Sequence, residues 1–480
     1  MLFTSLEYIL FLPMIAALYY LLNHRSRWIL LLTASYFFYA YWRFDFLLLV
    51  VFSTLVDYFV GIQMSKHTEK RDRKKWLYLS LTTNLGLLFV FKYLGFFNEE
   101  VRHLFQFFDW PYNLPEWDVL LPIGISFYTF QTLSYTIDIY RGIGKTERHL
   151  GYFALYVSFF PQLVAGPIER STRLIPQLRT NQLFNWVNIS EGGRLFLWGM
   201  FKKVIVADYM LLVIQPIYYH PEAFSGSHYL LAMAASTIWI YADFSGYTDM
   251  AIGSARLFGI RLVPNFKRPY FAESISELWQ RWHISLTSWI NDYFFRPLVR
   301  SAKTTTTRYA AIVLIFLAIG FWHKASWNLL VFGLLHALYI IVNRVTKKFR
   351  RNLMDKVLKR TSVIRVTINV LLTLLFWAYS GPLFFSNSIG NAWRIMTHLF
   401  VWDSSTPLLA IPGVFTVQYI VMAIGASVFI YSEAINTRVL DNPFDSIRYT
   451  GVRWSFYLAM LFLLIVFGHQ VSNEFLYFQF

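Results

Sequence analysis

The chain has 480 residues, of which 56% are hydrophobic and 15% are charged, against about a quarter charged in soluble domains. This composition excludes a water-soluble globule and a disordered chain, and the aromatic share of 20% is typical of proteins with rings at the lipid–water boundary. There is no cysteine, which excludes disulfides and thiolate metal sites.

Runs of roughly 20 apolar residues predict helices that span a bilayer. The N-terminus has neither a basic n-region nor an A-x-A cleavage site, so the first run is predicted to be a retained span. Gly, Pro, Asp or Arg interrupt several central segments, which predicts tilted or re-entrant helices. Up to thirteen segments are predicted: 7–23, 27–43, 45–64, 76–97, 118–137, 150–166, 192–218, 228–253, 309–323, 327–343, 363–380, 413–432 and 453–469.

The net charge of +16 comes largely from two basic loops, and their positions argue against nucleic acid binding. Six Lys and Arg residues lie between Lys66 and Lys75, and nine lie from Arg344 to Arg365. The positive-inside rule places both loops in the cytoplasm. The loop 24–28 then lies inside, the loop 98–118 lies outside, and both chain termini are predicted to be extracytoplasmic.

Polar residues are densest among apolar surroundings between Asp243 and Asn328, and such residues at membrane depth invite a functional hypothesis. The apolar run before His323, Tyr309–Trp322, has 14 residues, which is too short to cross a bilayer. His323 is therefore predicted to lie at a turn sunk in the membrane, where its imidazole can accept a proton from a hydroxyl or thiol. The alternative is a structural histidine bonded to a backbone carbonyl.

His283 is a second candidate with a less definite role. Helical spacing does not bring Arg281, Ser285 or Asp292 onto one tight face with it, so no catalytic dyad is predicted. His283 can orient His323, contact the substrate or cap a helix, and its position alone slightly favours a structural role.

Other catalytic patterns are absent, since the sequence has no H-E-x-x-H and no G-x-S-x-G. Asp243 and Asp249 suggest a cation or proton site, but neither an inverted repeat nor a second acidic pair accompanies them. Pairing with Arg256 or Arg281 is an equally good prediction for these two residues. His336, on the face of an apolar helix, is predicted to be a core histidine with satisfied hydrogen bonds.

Several stretches together resemble the membrane-bound O-acyltransferase family, and in particular its bacterial branch that acetylates alginate, peptidoglycan and cellulose. The similarity extends essentially end to end, and the chain closes on Phe475-Leu-Tyr-Phe-Gln-Phe480, as members of this branch tend to. The matching stretches are Gly124–Gln131, Phe160–Ile168, Phe201–Val204, Asp243–Ile252, Arg281–Leu286 and Phe321–His323.

This resemblance implies an all-α polytopic membrane protein with a ring of about 11–13 tilted, partly re-entrant helices around a central funnel. It implies one transmembrane domain over 1–480, with N-terminal helices in 1–117, a catalytic core in about 118–345 and C-terminal helices in 346–480.

The resemblance also assigns the candidate site. His323 matches the near-invariant histidine of the family and His283 its second recurring histidine, while Lys324 stands where relatives often carry glycine. No metal is expected. Further substrate contacts are expected from the neighbouring polar residues Asp243, Arg281, Ser285, Asp292, Trp322 and Asn328.

The implied activity is transfer of an acetyl group from cytoplasmic acetyl-CoA, with no bound cofactor, across the bacterial inner membrane toward an extracytoplasmic polysaccharide. A separate SGNH-type acetyltransferase is the implied partner. His323 acts either as a general base, with Trp322 or Asn328 steadying the oxyanion, or as a covalent carrier of the acyl group.

Three alternatives stay open at the level of sequence. D-alanyl transfer would depend on a carrier protein rather than on CoA. A transporter of an acylated carrier would move its cargo without acyl transfer, and a scaffold of a glycan-export complex would need neither His323 nor His283.

Overall fold

The computed structural model describes residues 1–115, 119–301, 304–357, 359, 362–403, 406–435, 447–468 and 475–476. Within these residues the chain is helical and has no β-strand, which confirms the predicted all-α class. Parts of three predicted features lie outside them: residues 116–118 of the outward loop, residues 436–446 between the last two helices, and most of the closing motif.

The first half of the chain forms helices of very different length. In chain order they are α1 (Leu6–Leu21), α2 (His24–Ala40), α3 (Phe44–Ser65), α4 (Lys70–Leu88), α5 (Leu94–Phe107), α6 (Ile125–Arg141), α7 (Leu150–Ser158), α8 (Phe160–Leu163), α9 (Ser171–Arg179), α10 (Trp186–Phe201) and α11 (Asp208–Tyr219).

The second half continues with the longest helix of the described chain. The helices are α12 (Gly226–Leu257), α13 (Ile275–Arg281), α14 (Ile284–Ile290), α15 (Arg296–Ser301), α16 (Thr305–His323), α17 (Trp327–Val345), α18 (Lys347–Val357), α19 (Val363–Phe385), α20 (Ile389–Thr397), α21 (Thr416–Ile435) and α22 (Thr450–Phe467).

Seven helical segments of the described residues are long and apolar enough to cross a bilayer, and the shorter α1 is apolar as well. This supports a multi-pass membrane protein with fewer full-length spans than the thirteen predicted segments. The central segments fall short for local reasons: α7 has only nine residues, and α12 carries the polar stretch that begins at Asp243. The seven are α3, the segment Lys70–Phe107, α16, α17, α19, α21 and α22.

The helices form two compact units. The first comprises Met1–Phe196 and Tyr247–Val263, and the second comprises Leu197–Gly246 and Pro264–Leu476. Both candidate histidines belong to the second unit. The predicted division of the chain at 117 and 345 remains a prediction.

In the first unit, a glycine allows helix α6 to start against the backbone of a neighbouring segment. Gly124 has a φ of +79°, and a Cβ atom there would lie 2.6 Å from the carbonyl oxygen of Leu163. Any larger residue would combine backbone strain with a clash, so both stretches meet only because this position is glycine.

The first unit also buries a carboxylate within its helices. Asp57 on α3 is fully buried and accepts hydrogen bonds from Ser80 at 2.6 Å and from Asn84 at 2.8 Å. Because buried charges need such partners, this network is a structural polar core that ties α3 to α4.

In the second unit, α16 and α17 form an antiparallel pair whose backbones touch. A Cβ atom at Gly320 would lie 2.0 Å from the carbonyl oxygen of Leu329, and one at Gly333 would lie 2.2 Å from that of Phe316. Small residues permit this close approach between membrane helices. The two glycines therefore fix the turn between the helices, which follows His323.

We expect Gly320→Ala to lower the free energy of unfolding by about 3 kcal/mol, at the upper end of overpacking costs. The reason is that Leu329 meets the new methyl group with its backbone, which cannot move aside alone. Thermal unfolding in detergent measures the effect. Gly86→Ala is the control, since nothing lies within 4 Å of a Cβ there; equal stability of both variants would contradict the prediction.

Candidate functional site

His323 is the last residue of α16 and is only 6% exposed. The predicted turn is confirmed, because the chain leaves the helix at Lys324 and enters α17 at Trp327. The predicted short run is wrong. Thr304 caps the helix through a capping box with Thr307, so α16 has 19 residues and is about 28 Å long.

His283 occupies a strained position between α13 and α14. Its φ of +43° lies in the left-handed region, which is uncommon for a residue other than glycine. The side chain is 1% exposed. Such strain persists only where the surroundings enforce it, and it clusters at functional sites.

A buried asparagine holds this turn in place. The backbone N–H of Ile284 donates to the carbonyl oxygen of Asn265 at 2.8 Å, and the Ser285 hydroxyl donates to Asn265 Oδ1 at 2.6 Å. Both side chains are buried. Ser285, predicted as a substrate contact, is thus engaged in fixing the backbone that presents His283.

The two histidines belong to one aromatic cluster. The His283 ring lies 4.6 Å from Phe244 and 6.3 Å from Trp322, measured between ring centroids. Trp322 lies 4.8 Å from His323, which in turn lies 5.5 Å from Phe384. The structure therefore brings His283 close to two other predicted site residues, Trp322 and His323, which follow it by 39 and 40 positions.

The electrostatics of His283 favour a neutral ring. Burial lowers the pKa of His283 well below its ordinary value, and the neighbouring His323 lowers it further. A neutral imidazole can accept a proton or hydrogen-bond a polar group, whereas a second positive charge beside His323 would be unfavourable.

The partner predicted for Asp243 is wrong. Arg256 pairs with Glu191 and Arg281 pairs with Glu277. Asp243, which is fully buried, instead lies 2.7 Å from Nζ of Lys203. The prediction failed because it rested on sequence spacing. Spacing does not determine which residues of separate helices come into contact.

Lys203 bridges two carboxylates inside the second unit. Its Nζ also lies 2.7 Å from Asp208, and the backbone N–H of Leu476 donates to Asp243 Oδ2 at 3.1 Å. Lys203 lies in the π-helical turn Lys202–Ala207. Lys203 is absent from the predicted site residues, although a lysine in an apolar run is itself a signal of function.

We expect Lys203→Met to lower the free energy of unfolding by about 3–5 kcal/mol, because it leaves buried carboxylates without their cation. Thermal unfolding of the purified protein measures this. Arg43→Met is the control at the exposed Arg43–Asp45 pair and should change stability by less than about 1 kcal/mol. A Lys203 variant as stable as the control would show that the bridge is dispensable.

The remaining predicted contacts have structural partners. Arg281 pairs with Glu277 within α13, and Asp292 lies 3.1 Å from Arg296. Asn328 donates through Nδ2 to the carbonyl oxygen of Ser386 at 3.0 Å. Arg281 and Asp292 are engaged in ion pairs within their own segments.

His336 is confirmed as a satisfied core histidine. It is fully buried, its Nε2 lies 3.0 Å from the Ser380 hydroxyl, and its Nδ1 accepts from the Trp279 indole at 3.2 Å. Among the described residues, no group of three or more His, Asp or Glu side chains is arranged to hold a metal ion. The candidate site itself presents the imidazoles of His283 and His323 beside the rings of Phe244, Trp322 and Phe384.

Comparison with known proteins gives a consistent result. The model of the membrane-bound O-acyltransferase family matches residues 31–386. The chain is 36% identical to a probable alginate O-acetylase of Azotobacter vinelandii over 83% of this chain and 77% of that protein. It is 34% identical to a probable alginate O-acetylase of Pseudomonas aeruginosa (89% and 82%) and 34% identical to a peptidoglycan O-acetyltransferase of Helicobacter pylori (66% and 65%).

Proposed function

This chain belongs to the membrane-bound O-acyltransferase family and is a membrane O-acyltransferase, and on that premise we propose that it passes acetyl groups from cytoplasmic acetyl-CoA to an extracytoplasmic polysaccharide. The proposed location is the bacterial cytoplasmic membrane. The observation that carries the chemistry is the buried cluster of His283, Trp322 and His323.

His323 is the proposed general base. It accepts the proton of the acceptor hydroxyl while the hydroxyl oxygen attacks the thioester carbonyl carbon. The tetrahedral intermediate then expels the thiolate, which takes the proton back from His323. The products are an acetyl ester and free CoA thiol, and His323 returns to its neutral form.

The basic loops support a cytoplasmic, phosphate-bearing donor. The phosphates of acetyl-CoA cannot enter hydrocarbon, so they must stay at a surface of positive charge. Each unit supplies one such loop: Lys66–Lys75 in the first and Arg344–Arg365 in the second. Only the acetyl group and the flexible thiol arm then need to reach His323.

The names of the relatives support a glycan as final acceptor, since those proteins are an alginate O-acetylase and a peptidoglycan O-acetyltransferase. We propose that an SGNH-type acetyltransferase outside the membrane receives the group and completes the transfer.

Purified protein with radiolabelled acetyl-CoA tests the donor. We expect release of CoA thiol that depends on an acceptor. A labelled aminoacyl carrier protein offered in place of acetyl-CoA should transfer no label to that acceptor. Activity with the carrier protein alone would replace this proposal by D-alanyl-type transfer. Transport without thiol release would replace it by a transporter.

A further inference from the structure

Among the described residues of the second unit, two of the buried polar groups that lack a hydrogen-bond partner lie beside Phe385. They are the indole N–H of Trp239, whose side chain is 4% exposed, and the hydroxyl of Ser386, 8% exposed. A buried donor without a partner loses its bonds to water and gains nothing in return. Such groups are rare in folded proteins and call for an explanation.

Both groups lie next to the same phenylalanine. The Trp239 ring on α12 lies 4.8 Å from Phe385, and Ser386 follows Phe385 directly at the end of α19. Phe384, one residue earlier, lies 5.5 Å from His323. The neighbouring rings of Phe384 and Phe385, 5.0 Å apart, therefore form a wall with His323 near one ring and the two unpartnered groups near the other.

The backbone of this wall is fixed. Asn328, at the start of α17, donates to the carbonyl oxygen of Ser386 at 3.0 Å. One amide N–H of Asn328 thus holds the end of α19 in place. It anchors the backbone of Ser386 relative to α17, which follows the turn after His323.

Equivalent residues nearby are fully satisfied. The indole N–H of Trp279 donates to His336, and the hydroxyl of Ser380 bonds to the other nitrogen of the same ring. Trp279 and Ser380 thus both hydrogen-bond to a histidine of the protein. Trp239 and Ser386 have no such acceptor among the described residues.

We propose that Trp239 and Ser386 form a subsite for the carbonyl oxygen of the acyl group that His323 acts on. A carbonyl oxygen has two lone pairs and can accept both bonds. These bonds strengthen as the oxygen becomes an oxyanion, so donors held ready in a dry site lower the barrier. This subsite rests on the proposed acyl transfer.

Ser386→Ala and Trp239→Phe test the subsite in the purified full-length protein with radiolabelled acetyl-CoA. Each should lower kcat about a hundredfold, the scale for loss of one oxyanion donor, with KM for the donor changed by less than about threefold. Because Ser386→Ala removes an unsatisfied buried group, its melting temperature should equal or exceed that of the wild type.

Trp279→Phe and Ser380→Ala are matched controls, since they remove the same groups where the fold uses them. Both should lower the melting temperature, because His336 loses a partner, and both should keep the wild-type kcat per folded molecule. The subsite is overturned if Ser386→Ala and Trp239→Phe keep kcat, or if the controls lose as much kcat as they do. A wild-type protein that releases no CoA thiol would instead overturn the proposed function itself.

Discussion

Replacing His323 with alanine is expected to abolish acyl transfer, with a loss of about 10³-fold, since a positioned general base contributes about 10² to 10⁴. The residue is buried at the end of α16 and contacts Trp322 and Phe384. The ring of His283 lies 6.3 Å from that of Trp322, so a second imidazole is close to the same tryptophan. Acetyl esters on the exported glycans of cells that carry the variant measure the loss.

His336→Ala is the control for this experiment. It also removes a buried imidazole from the second unit, but one whose two nitrogens bond to Ser380 and Trp279. It should lower the amount of stable protein while each remaining molecule stays active. Normal ester content in His323→Ala cells, at normal protein level, would remove His323 from the mechanism.

Replacing His283 with asparagine is expected to lower transfer by about 10- to 100-fold while leaving the melting temperature near that of the wild type. Asparagine tolerates the left-handed backbone, so the variant separates the imidazole from the turn it occupies. The loss follows because the neutral ring beside Trp322 can no longer orient His323 or the acceptor. The same ester measurement, normalised to folded protein, gives the effect.

Arg268→Asn supplies the matched control, because Arg268 is left-handed as well, with a φ of +48°. Its side chain lies over Phe271 and donates to the carbonyl oxygen of Ala434. We expect this variant to retain transfer. Full activity of His283→Asn would show that position 283 serves only as a turn.

Sequence alone was sufficient for the fold class and the family, while the roles of the site residues remain predictions. The composition and apolar runs predicted an all-α membrane protein, and the resemblance to the membrane-bound O-acyltransferases is confirmed by the family match over 31–386. His336 was identified as structural because it lies on an apolar helical face. The turn after His323 is confirmed, although the 14-residue apolar run from which it is predicted is part of a 19-residue helix.

What sequence could not supply are contacts between distant helices. Asp243 and Lys203 are 40 positions apart, and only the packing of α12 against the π-helical turn makes them partners. Likewise, the support of His283 by Asn265 depends on a backbone turn that no periodicity reveals. The start of α16 is not predicted by the apolar pattern because its first turn is polar and begins at a capping box formed by Thr304 and Thr307.

The role of a buried charge also depends on contacts between distant helices, which the sequence does not reveal. A charge in an apolar segment was expected to mark function, yet Asp57 is a satisfied structural group. Asp243 is likewise neutralised by Lys203. The sequence shows that such a charge must have a partner; only the structure shows whether that partner is the protein itself or is left for a substrate.

Sealed vesicles that hold the protein and its extracytoplasmic partner test whether His323 is required to pass acetyl groups across the membrane. Radiolabelled acetyl-CoA is supplied on the side of the basic loops and a glycan on the other. We predict labelled acetyl ester on the glycan with the wild type and none with His323→Ala. Ester formation at the wild-type rate by the His323→Ala protein would contradict the account.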